Sequence, residues 1–360
     1  MTTVAQKRAQ PRERNQPVSA SSAANPSAAA DRIVEQFMRE KHVPGLVLAI
    51  IRNGQVVVEK GYGVRSTDDS QPPDSNTLFY IGSLSKALTG VGIELLVEQG
   101  KIELDEPTSR YVKRLPKSWQ PIPLKFFLAH QSGIPDIASS KQPTFQAELR
   151  TVDNQPLAFK PGAKQQYNNF NFVVAGQVIE DAGGRPYLEF MKEEVFKPLG
   201  MTRSGYHQSD PNSAPGYFFR NGKLDEVKEV APQGGDYAIP SGFLQTTLGD
   251  LLRLYWGIQR HKLLPPPRTR EMLSPVTLGK TGTPGWFARK VNGVTIVAKD
   301  GAASGYSSQF QFVPERGDAV IFIMNLQGQA LGTAALANDL LREACGLPLP
   351  ANSGAGSEEN

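Results

Sequence analysis

Cysteine is nearly absent: Cys345 stands alone among 360 residues, so no intramolecular disulfide can staple the fold, and redox chemistry leaves the compartment open. Histidine is scarce too. The four, His42, His130, His207 and His261, are scattered, with no H-E-x-x-H and no paired-cysteine spacing, so neither a metal nor any other cofactor finds a ligand set. No serine sits in a G-x-S-x-G elbow, which removes the main support for a Ser-His-Asp triad built from His130 and Asp136. The glycine pairs Gly61-Tyr62-Gly63 and Gly234-Gly235 match no phosphate loop. Charge is nearly balanced at 39 Lys+Arg against 35 Asp+Glu and is dispersed, so nucleic-acid binding has no basic stripe to rest on. No internal repeat is evident. No segment reaches the length of a membrane span, and the start carries no apolar leader core. The expectation is a cytoplasmic protein as the sequence stands, periplasmic or secreted if a leader has been removed.

What the chain does have is enough apolar content, 39%, to bury a sizeable core. It also has Ser83-Leu84-Ser85-Lys86. From there Leu84, Leu88, Val91 and Leu95 recur at helical spacing and Gly100 offers a left-handed stop, so a helix of roughly four to five turns is expected to begin near Ser83. Residues i and i+3 share a helix face, so the Lys86 amine can reach the Ser83 hydroxyl, while unpaired N–H groups at the helix start favour negative charge. A serine hydroxyl is a poor nucleophile until a neighbouring base takes its proton, and lysine is a base when desolvation or cationic neighbours lower its pKa.

Two further elements follow in order. Tyr167-Asn168-Asn169 comes after the turn Lys160-Pro161-Gly162 and enters a helical pattern with Phe172, Val173, Ala175 and Val178. On such a turn a phenol can relay a proton, and an amide can hold a substrate carbonyl or orient the lysine. Lys299-Asp300-Gly301 precedes an alternating run from Ser308 to Val313, a turn at 314–317 and an apolar run from Ala319 to Met324, which reads as a hairpin whose first strand begins beside the lysine. A rival, Lys280-Thr281-Gly282, falls one strand too early, ahead of Gly285-Trp286-Phe287.

Ser83-x-x-Lys86, Tyr167-x-Asn169 and Lys299-x-Gly301, in this order, resemble the class C β-lactamase and DD-peptidase family of serine hydrolases, whose literal third motif K-T-G is spelled by Lys280-Thr281-Gly282. Supporting segments agree from about Arg32 to Leu347. Val43-Pro44-Gly45 and the hairpin after it, Phe126 to Pro135, Pro198 to Met201 and Ser241 to Leu251 are similar to family landmarks, with Gln131 where threonine is usual. The resemblance implies that Ser83 attacks an ester or amide carbonyl while Lys86 and Tyr167 share its proton, giving an acyl-enzyme that water releases. It implies an oxyanion hole from the amides of Ser83 and Ala302, room for substrate along the strand at Gly301, and Lys299 near a substrate carboxylate. The last point favours carboxylate-bearing amides, peptides or β-lactams. Three readings remain: a serine acyl hydrolase of small esters, amides or peptides, a β-lactamase or D-alanyl-D-alanine carboxypeptidase, and a noncatalytic binder or scaffold. The intact trio argues against the last. Oligomeric state is unread.

Strand patterns cluster at 46–63 and 285–325, so the two ends must meet in one antiparallel sheet: an α+β fold, with helices near Arg32 to Lys41 and Leu331 to Ala344 covering the sheet and a mainly helical lobe inserted. The expected division is one catalytic domain over 31–350, with a sheet lobe of 31–82 and 285–347 and a helical lobe of about 83–245. Residues 1–30 and 351–360, polar and small, are expected to be disordered tails.

Overall fold

The run Leu46-Val47-Leu48-Ala49-Ile50-Ile51 has no polar face, and its place in the sheet explains why. A computed structural model describes residues 25–350 other than 138–141, 208, 229, 231–234, 278–279 and 329–330. Its main sheet holds β1 (Gly45–Arg52), β2 (Gln55–Gly63), β3 (Phe287–Val291), β4 (Val294–Ala303), β5 (Tyr306–Val313) and β6 (Asp318–Met324). The order is β2-β1-β6-β5-β4-β3, antiparallel throughout. β1 and β6 are paired from Leu46 with Met324 to Ile51 with Ala319, which closes the two ends of the chain into one sheet. Side chains alternate between faces along a strand. Val47, Ala49 and Ile51, with Ala319, Ile321 and Ile323, therefore enter the core shared with the helical lobe. Leu46, Leu48 and Ile50, with Val320, Phe322 and Met324, enter a second core beneath the terminal helices. A strand covered on both faces reads as a continuous apolar run, and each large aliphatic residue so buried contributes about 1.5–3 kcal/mol.

Four helices frame the sheet and the site: α1 (Pro26–Lys41), α2 (Ser85–Glu98), α3 (Phe170–Gly183) and α4 (Thr333–Cys345). The tail expected through Ala30 is corrected at its inner end. Helix α1 already begins at Pro26, Asn25 Oδ1 accepts from the Ser27 amide at 3.0 Å, and Ala29 and Ala30 are buried. Composition misled because it counted large apolar residues, whereas alanine buries itself by letting a helix lie close to its neighbours. The rest of that tail, 1–24, and residues 351–360 lie outside the described residues.

The inserted lobe is helical around α2 and α3, but it also carries a strand hairpin, Tyr217–Arg220 with Lys223–Glu226, which joins Leu326–Gln327 in parallel. Its turn is Asn221-Gly222, both at positive φ (50° and 75°), the pair that a two-residue hairpin turn favours.

Candidate active site

Helix α2 is buried from Ser85 to Leu96, polar Lys86, Thr89 and Glu94 included, so it is an interior helix. It was expected to begin near Ser83. Instead Gly82–Leu84 forms a single 3-10 turn and α2 starts at Ser85. Gly82 takes φ +53°, and a β-carbon there would stand 2.6 Å from the Ala302 nitrogen. Gly301 is governed by the same closeness: its β-carbon would meet the Ile81 carbonyl oxygen at 1.9 Å and the Leu84 nitrogen at 2.8 Å. The absence of a side chain at Gly301 is what admits the backbone of the Ser83 turn. Ser308 Oγ, on β5, fastens that turn by donating to Ile81 O at 2.8 Å. The result lays the exposed Ala302, at the end of β4, beside the Ser83 turn.

Lys86 is fully buried. Its Nζ donates to Ser83 Oγ at 3.0 Å, to Asn169 Oδ1 at 2.8 Å and to the Ser241 carbonyl. Three acceptors meet the three N–H bonds of an ammonium. Of the two roles open to Asn169, its oxygen here orients the lysine. The Ser241 carbonyl was missed by sequence reasoning, since a backbone acceptor has no side-chain signature. It is held in place because Leu244 N donates to Ser85 Oγ at 3.1 Å and Thr89 Oγ1 donates to Pro240 O at 2.9 Å, docking 239–244 on α2.

Tyr167 Oη donates to Ser83 Oγ at 2.5 Å. Lys86 Nζ lies 5.0 Å and Lys299 Nζ 5.1 Å from the centre of the tyrosine ring. Lys299 shares a face of β4 with Gly301, is only 2% exposed, and also stands 4.9 Å from the Phe287 ring, with Asp300 Oδ1 3.6 Å away. Its charge faces the tyrosine. Lys280 sits on the segment entering β3. Its neighbours bind Gln165 there, which donates from Nε2 to Thr281 Oγ1 and accepts from Gly282 N, both at 3.2 Å.

His130, read from sequence as part of a structural turn, lies against the site. Its ring is 4.4 Å from that of Tyr167, centre to centre. Burial, then the charges of Lys86 and Lys299, hold the imidazole pKa well below its ordinary value, so the ring is neutral. Its Nδ1 accepts from the Asn168 backbone N–H at 3.2 Å instead of donating to a carboxylate, so a triad with Asp136 does not form. Asn168 was also missed, although an asparagine just ahead of a helix is a capping signal. Its Oδ1 accepts from Phe170 N at 2.8 Å, and its Nδ2 donates to Ile134 O and Pro135 O at 3.0 and 3.1 Å. Among the described residues no group of three His, Cys, Asp or Glu side chains gathers as for a metal ion.

A six-stranded antiparallel sheet with an inserted helical lobe and a serine, lysine and tyrosine at their junction is the arrangement of a serine hydrolase. The chain belongs to the Beta-lactamase family, whose profile matches residues 30–344. It is 27% identical over 322 residues to Protein flp of Staphylococcus aureus (strain N315), covering 83% of this chain and 63% of that protein. It is 30% identical over 244 residues to a Teichoic acid D-alanine hydrolase of Staphylococcus aureus, covering 67% of this chain and 60% of that protein. The chain thus spans less than two thirds of the length of these curated relatives. Among solved structures, the octameric penicillin-binding protein homologue from Pyrococcus abyssi superposes with a TM-score of 0.79 at 24% identity, covering 91% of this chain and 79% of that one. No helix among the described residues is long and apolar enough to cross a membrane.

Proposed function

We propose that this protein hydrolyses an ester or amide through an acyl-enzyme on Ser83. The observation that carries the reading is the convergence of Lys86 Nζ (3.0 Å) and Tyr167 Oη (2.5 Å) on Ser83 Oγ. In the reacting form Tyr167 is a phenolate whose own proton has passed to solvent, and Ser83 gives its proton to that oxygen across the 2.5 Å contact while the Lys86 ammonium holds Ser83 Oγ. Two ammonium groups about 5 Å from the ring stabilise that phenolate and so make the base available. The Ser83 oxygen bonds to the carbonyl carbon, and the oxyanion is met by the amides of Ser83 and Ala302, each such donor contributing about 3–4 kcal/mol. Tyr167 then returns the proton to the leaving group as the acyl bond breaks. Water, losing a proton to Tyr167, attacks the acyl carbon, and Ser83 regains its hydrogen on release.

Burial of Lys299 favours neutral open-chain esters over substrates that need a carboxylate clamp, such as β-lactams or D-alanyl dipeptides. A second reading, removal of a D-alanyl group, is favoured by the 30% identity to the Teichoic acid D-alanine hydrolase. A panel of p-nitrophenyl acetate and butyrate, a D-alanyl ester, nitrocefin and D-alanyl-D-alanine tests both. Esters turned over with slow or absent nitrocefin hydrolysis support the first reading, and marked preference for the D-alanyl ester supports the second. Nitrocefin turnover far above every ester overturns the ranking.

A further inference from the structure

Resting on Ser83 chemistry with Tyr167 as its proton acceptor, we infer that His130 is a positioning residue for Tyr167, acting through the hydrogen bond from the Asn168 amide to its Nδ1.

Tyr167 and Asn169 point to one place, Ser83 and the Lys86 ammonium that contacts it. They are two residues apart on a turn outside any helix, so their common direction depends on the peptide between them. That peptide is anchored by one backbone bond, Asn168 N to His130 Nδ1 at 3.2 Å, and by the Asn168 side chain. Asn171 Nδ2 also approaches Nδ1, at 3.4 Å. Because Nδ1 accepts, the neutral ring carries its hydrogen on Nε2. The imidazole is confined on several sides. Tyr167 packs on it at 4.4 Å, Phe172 at 5.4 Å and Phe287 at 6.1 Å, the last nearly parallel at 17°. Its backbone, at φ +57°, is left-handed, and its carbonyl accepts from Gln166 N at 2.8 Å, so both ends of Tyr167 are tied to this one residue. His130 is buried, so it acts on rate through the groups it holds and packs against.

The test is a double-mutant cycle on kcat/KM for p-nitrophenyl acetate, with folding matched by thermal melting. His130→Gly removes ring and acceptor while relieving the left-handed strain, so it folds where bulkier replacements fail. His130→Asn tolerates the same φ and puts Oδ1 where Nδ1 was. In the parent, His130→Gly is expected to lower kcat on the order of 30-fold with KM little changed. In a Tyr167→Phe background the same change is expected to cost about threefold or less, since the group it positions is gone. His130→Asn should recover to within about fivefold of the parent. Equal losses in both backgrounds, or an asparagine variant as poor as the glycine one, would overturn the positioning role alone. A fully active Tyr167→Phe enzyme would instead sink the site reading on which it rests, and the positioning role with it.

Discussion

Replacing Lys299 with alanine removes one of two ammonium groups from around Tyr167. Its Nζ lies 5.1 Å from the ring centre in a pocket where the side chain is 2% exposed. At an effective dielectric of about 20, two unit charges about 5 Å apart interact by about 3 kcal/mol, or about two powers of ten in the share of Tyr167 held as phenolate at neutral pH. Stability should move far less, because the lost ring contacts are offset by relief of a buried cation. The assay is kcat/KM for p-nitrophenyl acetate across pH, with thermal melting alongside. The expected result is a fall on the order of 100-fold and an upward shift in the pH at which the rate reaches its plateau. Lys280→Ala, on the segment entering β3, should stay within about twofold. Loss of less than about threefold in Lys299→Ala at matched folding, or equal damage from Lys280→Ala, would refute the placement of charge at the site.

Lys86→Arg keeps the charge but cannot fit a fork of five donors into a fully buried pocket with three acceptors, so it should lose activity nearly as far as Lys86→Ala, at least about 100-fold, in the same ester assay. Gly301→Ala would place a methyl 1.9 Å from Ile81 O; urea unfolding should report a loss of about 1–3 kcal/mol together with lost turnover. Glu94 lies buried within α2, neither of its oxygens accepts a hydrogen bond among the described residues, and Arg268 Nη1 is 3.7 Å away. Burial pushes its pKa from 4.5 up to about 7. The folded state therefore holds the proton more tightly, and stability falls as pH rises from 4.5 to about 7, by about 3 kcal/mol in all. Glu94→Gln should melt higher than the parent at pH 8 and match it near pH 4.5; an equal difference at both pH values would contradict this.

The closeness of Ser83 to Lys86 was legible because it needs only local spacing, and the 3-10 turn that displaced the helix start left that spacing intact. The meeting of β1 with β6 was legible from two apolar runs too long-buried for any one-faced sheet. The strand that carries Lys299 was legible because the hairpin after Gly301 fixes it. Three things were not legible. The role of Gly301 depends on how closely the Ile81 carbonyl approaches, and that is a property of packing between elements distant in sequence. The burial of Lys299 depends on Phe287 and Tyr167 closing over it from two lobes. The Ser241 carbonyl is backbone, which every residue has. By contrast, the Asn221-Gly222 hairpin turn and Asn168, whose Oδ1 accepts from Phe170 N just inside the helix, carry readable local signals.

Acylation of Ser83 is the step on which the proposed hydrolysis depends. Mixing the protein with a p-nitrophenyl phosphonate, digesting it and locating the adduct by mass spectrometry tests this directly. One equivalent of label is expected on the peptide containing Ser83, with loss of ester turnover in proportion and no label in Ser83→Ala. Label on another residue, or undiminished turnover in Ser83→Ala, would contradict it.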